Sequence, residues 1–324
     1  MANSLLLETI SSVLAASSPL VFAGIGETLT ERAGIVNLSL DGTILLSAMA
    51  GFALSYVTGS VLVGILAAML VGAAIASIVA FGSIALGQDQ VAIGFVLTLL
   101  CADLSSFIGQ PYVRRPGPEV PHLPIPGLAD IPLVGSLLFD HNALVYLSFA
   151  VVLLTWWWLS KTQPGLRLRS VGERPEAAFA RGIRVNRTRY LYTFVGGALV
   201  GLAGATYSLS VKLGWSHRHT AGEGWIALAI VIFGGWSPLR VALGAYLFGV
   251  LKSLGSILQP TFPNVPTQVF QATPFALMIV ALLLVSGDLT ERVLFYLPPQ
   301  ARGLFHALFR GSPPAALGKR FDPD

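Results

Sequence analysis

VLVGILAAMLVGAAIASIVAFGSIAL, residues 61–86, decides the fold. Its twenty-six residues include no charge, and Ser77 and Ser83 are their only hydroxyl side chains. A helix needs about 20 apolar residues to cross a bilayer. This run exceeds that, so it must tilt or bend. A helix at the edge of a soluble core would show one apolar stripe; this one is apolar all round. The strict alternation of a membrane barrel strand is missing. The rest of the chain agrees. Of 324 residues, 54% are hydrophobic and 11% charged, against roughly 25% charged in soluble domains. That composition excludes an ordinary soluble enzyme, a disordered chain and a nucleic-acid binder. The fold class is an all-α polytopic membrane protein.

Apolar runs at 5–25, 35–57, 61–86, 91–108, 143–159, 191–211, 225–233, 241–258 and 270–285 predict about nine transmembrane segments. The run at 225–233 is too short to span alone, so one short or broken helix is expected near 225–236. No basic residue precedes the first run, and Glu8 sits where a signal peptide would be basic, so the run reads as a retained segment and not a cleaved signal. The loop 160–190 carries Lys161, Arg167, Arg169, Arg174, Arg181, Arg184, Arg187 and Arg189. It is predicted to be cytoplasmic, as is the tail with Arg292, Arg302, Arg310, Lys319 and Arg320. The Pro-rich loop 110–142 then faces outward, the N-terminus lies outside and the C-terminus is cytoplasmic. The net charge of +4 is a topology signal. The division is a transmembrane domain, 1–288, and a tail, 289–324. Arg302, His306 and Arg310 share one face of an expected short helix on the lipid surface.

The motifs are sparse. Cys101 is the single cysteine, so no disulfide forms within the chain. No metal set is completed around His217 and His219, and no phosphate-binding loop occurs. Acids within apolar runs are costly and need a partner or water. Asp41 is expected either to line a solute path with Asn37, one helical turn earlier, or to make a structural hydrogen bond between helices. Asp103, near the outer end of its run, fits the structural role better. Gly197 and Gly201 form a GxxxG, read as close helix packing.

The sharpest pattern is GERPEAAFARGI, residues 172–183. Pro175 suits a first helical position, Glu176 faces the positive helix end, the alanines favour helix, and Gly182 terminates it. A helix of about two turns is expected below the membrane, bracketed by stop signals. Incidental helix in a topology loop is the plainer alternative.

This pattern resembles the coupling segment of permease subunits of ATP-binding cassette importers, in the group for branched-chain amino acids, simple sugars and nucleosides. Residues 31–42, 89–94 and 225–238 are similar to the nucleoside branch. Arg174 and Asp89 each stand where Asn is usual. The resemblance implies a transport subunit and no enzyme. It implies coupling to a separate ATPase through Gly172, Glu173, Arg174, Pro175, Glu176, Ala177, Ala178, Phe179, Arg181 and Gly182. It also implies a second permease in a heterodimer, an outer substrate-binding lipoprotein, and a path that would include Asn37, Asp41, Asp103 and Trp225. No cofactor is expected in this chain, ATP being bound by the partner. The location implied is a prokaryotic plasma membrane. A simple-sugar permease of the same family and an ion-coupled secondary transporter are the alternatives.

Overall fold

The structure, a computed structural model, describes residues 2–132, 134–259 and 311–322, with isolated positions 262, 265, 266, 269, 272, 276 and 279. Among these residues eleven α-helices run in order: α1 (Ala2–Arg32), α2 (Leu40–Thr58), α3 (Val61–Ala80), α4 (Gln90–Gly109), α5 (Val134–Leu138), α6 (Ala143–Lys161), α7 (Gln163–Glu173), α8 (Pro175–Ala180), α9 (Val185–Thr206), α10 (Glu223–Phe233) and α11 (Pro238–Leu258). The only β pairings among the described residues are two isolated bridges. Six helical spans, at 7–32, 40–58, 61–84, 90–112, 143–161 and 185–211, are long and apolar enough to cross a membrane. Of the expected segment 270–285 only positions 272, 276 and 279 are described, and the expected tail helix around Arg302–Arg310 lies outside the described residues.

The long apolar run 61–86 relieves its excess length at its end. Single π turns close both α3 (Phe81–Ala85) and α9 (Tyr207–Val211), the usual form of a π insertion in a long helix. Local chemistry places several starts. Asp89 Oδ1 accepts from Ala92 N at 2.8 Å and caps α4. The Asn142 side chain accepts from Leu144 N and Val145 N at 3.1 Å and caps α6.

Helix α9 is the central stave, packed against α3, α1 and α2. A Cβ on Gly201 would stand 2.1 Å from the Ala68 carbonyl oxygen, and one on Gly72 2.3 Å from that of Gly197. Small residues are what let α3 and α9 approach so closely, so the GxxxG is a packing device. Phe22, Ile25, Val200, Tyr207, Val231 and Val241 join α1, α9, α10 and α11 in the main core. Leu66, Leu70, Phe95, Val96, Leu99 and Phe107 of α3 and α4 point outward and exposed, the side chains of a lipid-facing surface.

The segment expected at 35–57 is helical only from Leu40. Gly34 leaves α1 with φ +90°, and residues 35–37 run non-helical and largely buried. Asn37 drives this. Its Oδ1 accepts from Ser39 N at 3.1 Å and from Ser39 Oγ at 2.6 Å, a local turn that competes with helix. Asn37 is therefore not one helical turn before Asp41, and the two share no helical face.

Candidate functional site

Two places collect the polar residues. The first is the broken stretch inside the bundle. Backbone outside a helix at this depth must be satisfied by protein, and side chains from two helices do so. Glu27 Oε1 of α1 accepts from Asn37 N at 3.2 Å. From α4, Gln90 Oε1 accepts from Val36 N at 2.7 Å, and Thr98 Oγ1 donates to the Leu38 carbonyl at 2.7 Å. Glu27 Oε2 and Asn37 Nδ2 are buried without a partner.

Asp41 sits just beyond. Its Oδ1 accepts from Gly222 N at 2.8 Å and Gly224 N at 3.0 Å. It thus caps the start of α10 from another helix, where exposed N–H groups favour an anion. Glu223 accepts from Tyr207 Oη at 2.8 Å and pairs with Lys252 of α11. At its other end α10 closes through Gly235 (φ +57°) and Trp236 (φ +55°). The left-handed conformation costs a tryptophan about 1–3 kcal/mol. Two neighbours hold it: Trp236 Nε1 donates to Glu31 Oε2, and Arg32 Nε donates to the Trp236 carbonyl at 3.2 Å. Residues 31–42, 89–94 and 225–238, far apart in sequence, thus brace one another.

Of the expected path residues, Asn37 and Asp41 are buried and hold backbone. Asp103 lies apart, in an exposed ion pair with Arg218 at 3.3 Å. Trp225, on α10 just past the Asp41 cap, is 37% exposed. Glu31, Gln90, Glu223, Trp236 and Lys252 belong to this polar framework; the first, second and fourth fall in the stretches 31–42, 89–94 and 225–238 without having been given a role, and Glu223 and Lys252 escaped the sequence reading. Glu223 stands at the edge of one apolar run and Lys252 inside another, and intramembrane charge was the signal that could have found them.

The second place is the end of the bundle that carries the basic loop. Helix α8 forms where expected, six residues long, with Pro175 in its first turn and Gly182 beyond its end at φ +79°. It comes after α7, whose Thr162 Oγ1 accepts from Gly165 N at 3.2 Å at the helix start. Glu173, Arg174, Glu176, Ala177, Phe179, Arg181 and Gly182 are exposed, while Gly172, Pro175 and Ala178 are buried. Ala178 packs against Val171, Val185 and Phe321, so it faces the body of the protein and not an open surface. Between α7 and α8 lies an open groove of about 420 Å³, lined by Leu166, Ser170, Arg174, Ala177 and Ile183 among others. Beside it a groove of about 480 Å³ is lined by Arg167, Arg181, Arg184 and Arg187. No group of acidic, His or Cys side chains among the described residues could hold a metal.

The model of the branched-chain amino acid transport system / permease component family matches residues 9–282. The chain belongs to this family. A putative glucose ABC transporter permease of Haloferax volcanii is 39% identical over 249 residues, 76% of this chain and 76% of that protein. A nucleoside ABC transporter permease of Lactococcus lactis is 33% identical over 291 residues, 86% of this chain and 92% of that protein. A guanosine ABC transporter permease of Bacillus subtilis is 33% identical over 287 residues, 84% and 90%. The chain is therefore a multi-pass permease of the nucleoside and sugar ABC transport family.

Proposed function

We propose that this permease forms, with a second permease subunit, the path by which a nucleoside enters a prokaryotic cell through the plasma membrane. A separate ATPase docks from below, and an outer binding lipoprotein delivers solute from above. The chain crosses the membrane about nine times, with the N-terminus outside and the C-terminus in the cytoplasm. It binds no cofactor and catalyses no reaction; ATP belongs to the ATPase, since this sequence has no phosphate-binding loop.

The observation that carries this reading is α8. A short, end-stopped helix with an exposed face of Arg174, Glu176, Ala177, Phe179 and Arg181 projects from between two longer helices. Its stiffness suits it to receive a push. The arginine-lined groove beside it favours an acidic ATPase surface. Along the path, Trp225 offers a ring face to a base, while Asn37 and Asp41 hold the backbone behind it. Ion-driven transport is less favoured, because Asp41 is committed to capping α10 and Asp103 to Arg218. The glucose permease relative supports a simple sugar as the second reading. Purified nucleosides and simple sugars, offered to the binding lipoprotein in a thermal-shift series, separate the two.

The docking test is Ala177→Glu. Ala177 is exposed on the groove, so a glutamate there adds bulk and a like charge facing an acidic partner without disturbing the permease. The variant is expected to insert normally, to lose copurification with the ATPase and to lose import. Full ATP-dependent import by Ala177→Glu would refute the coupling assignment.

A further inference from the structure

Residues 311–322 cross the cytoplasmic end as a strap, with no sequence signal to announce it. Ala316 N donates to the Gly172 carbonyl at 2.8 Å, and Gly318 N to the Gly34 carbonyl at 3.1 Å. Ala315 N donates to Glu173 Oε2 at 3.3 Å. Arg189, 1% exposed at the base of α9, donates through Nη1 to the Lys319 carbonyl at 2.9 Å. Phe321, 7% exposed, enters the small core under α8 with Val171, Ala178 and Val185. Its ring lies 5.6 Å from that of Phe179, the large exposed knob of α8.

These contacts join three parts that would otherwise meet weakly. Helices α7 and α8 touch the inner end of α1 through the Arg32–Glu173 pair at 3.7 Å and through Gly172, where a Cβ would stand 2.2 Å from the Arg32 carbonyl oxygen. The strap adds bonds to the α7 end, to the Gly34 turn that opens the broken stretch, and to α9. A hydrogen bond to Gly34 is a lever on that stretch: the chain from Gly34 to Asp41 has little helix to stiffen it and ends at the cap of α10. A push on α8 therefore reaches α1, α2 and α9 together through the strap.

We propose that residues 311–322 are the transmission element between the coupling helix and the membrane helices, with Phe321 the positioning residue that seats α8 on it. The proposal rests on the reading of α8 as the ATPase contact, and it concerns the step after docking.

The test uses the whole importer in lipid vesicles, with four permeases: wild type, Phe321→Ala, Phe321→Leu, and a chain ending at Gly311. Three readouts are taken: copurification of the ATPase, ATP hydrolysed, and solute imported per ATP. Phe321→Ala and the shortened chain are expected to keep the ATPase and hydrolyse ATP. Import per ATP should fall on the order of ten-fold, within the usual span of coupling between sites. Phe321→Leu, which refills the pocket, should recover most of it. An unchanged ratio in Phe321→Ala would overturn the proposal, as would hydrolysis and import falling in step, which is mere loss of folded protein. Loss of the ATPase from Phe321→Ala would overturn it too, since the tail would then be part of the docking surface. Failure of the docking reading shows itself elsewhere, as ATPase retained and import normal in Ala177→Glu.

Discussion

At Asp41 one carboxylate oxygen holds two backbone donors of another helix, Gly222 N and Gly224 N. The physics needs an acceptor there more than it needs a charge, since Asn and Asp cap about equally. Asp41→Asn should therefore leave thermal stability in detergent close to wild type. Asp41→Ala strands both donors and should cost about 1–3 kcal/mol, read as a lowered Tm. If the Asn variant keeps its Tm but loses uptake, the charge itself serves the solute path. The loop between α9 and α10 supplies a pH test at His219. Burial pushes this imidazole down to about 4 from the ordinary 6.5; the hydrogen bond to the Ser216 carbonyl opposes the shift and the Lys212 ammonium adds to it. Its folded state thus prefers the neutral ring, and the unfolded chain binds more protons between those two values. The contribution is complete above about 6.5 and is lost as pH falls toward about 4. Tm should fall over that window, and His219→Gln should flatten the fall. An equally steep fall in the variant would assign the pH dependence to other groups.

Among the elements, α8 shows how a helix of six residues divides its faces. Ala177 and Ala178 are adjacent, chemically identical and both border the groove, yet Ala177 is exposed there and Ala178 is 3% exposed in a small core. Ala178→Glu should damage the permease itself, by placing an unpaired charge against Val171, Val185 and Phe321. Trypsin should then cut the isolated variant at Arg181 and Arg184 much faster than wild type, while Ala177→Glu keeps wild-type resistance. Equal resistance in both variants would mean that the inward face of α8 carries no weight. The existence of α8 was legible because proline, alanines and glycine act locally, within one or two turns. Which alanine faces inward was not, because that depends on Phe321, 143 positions away. The helical spans were legible for the same local reason, hydrophobic length. The break before Leu40 was not, because apolar Ile35 and Val36 look helical until Asn37 turns on Ser39 and Gln90 arrives from α4. Asp41 was visible as an oddity in its run, but its two donors lie 181 and 183 positions on.

Across the whole molecule, the orientation rests on where loops meet. Loops 110–142 and 161–184 are separated by α6 alone, so they must lie on opposite faces whatever the total number of crossings. The strap bonds to Gly172 and Gly34, which puts residues 311–322 on the face of the basic loop. Helix α11 climbs α1 in the opposite sense: a Cβ at Gly24 would meet Val241 at 2.7 Å, and one at Gly249 would meet Ser17 at 2.0 Å. It starts at the face where α1 ends and so finishes at the other. The proposed nine-crossing topology puts its last crossing between there and Gly311. Single cysteines test this in a chain with Cys101→Ala. Asp130→Cys and Phe262→Cys should react with an impermeant thiol reagent applied to intact cells. Arg167→Cys and Asp322→Cys should react only once the cytoplasmic face is opened. All four positions are exposed and outside the spans, where a cysteine disturbs no crossing. Labelling of Phe262→Cys from the same face as Arg167→Cys would remove the return crossing together with the one before it, and the proposed count would fall by two. Labelling of Asp322→Cys from outside would detach the strap from the coupling loop altogether.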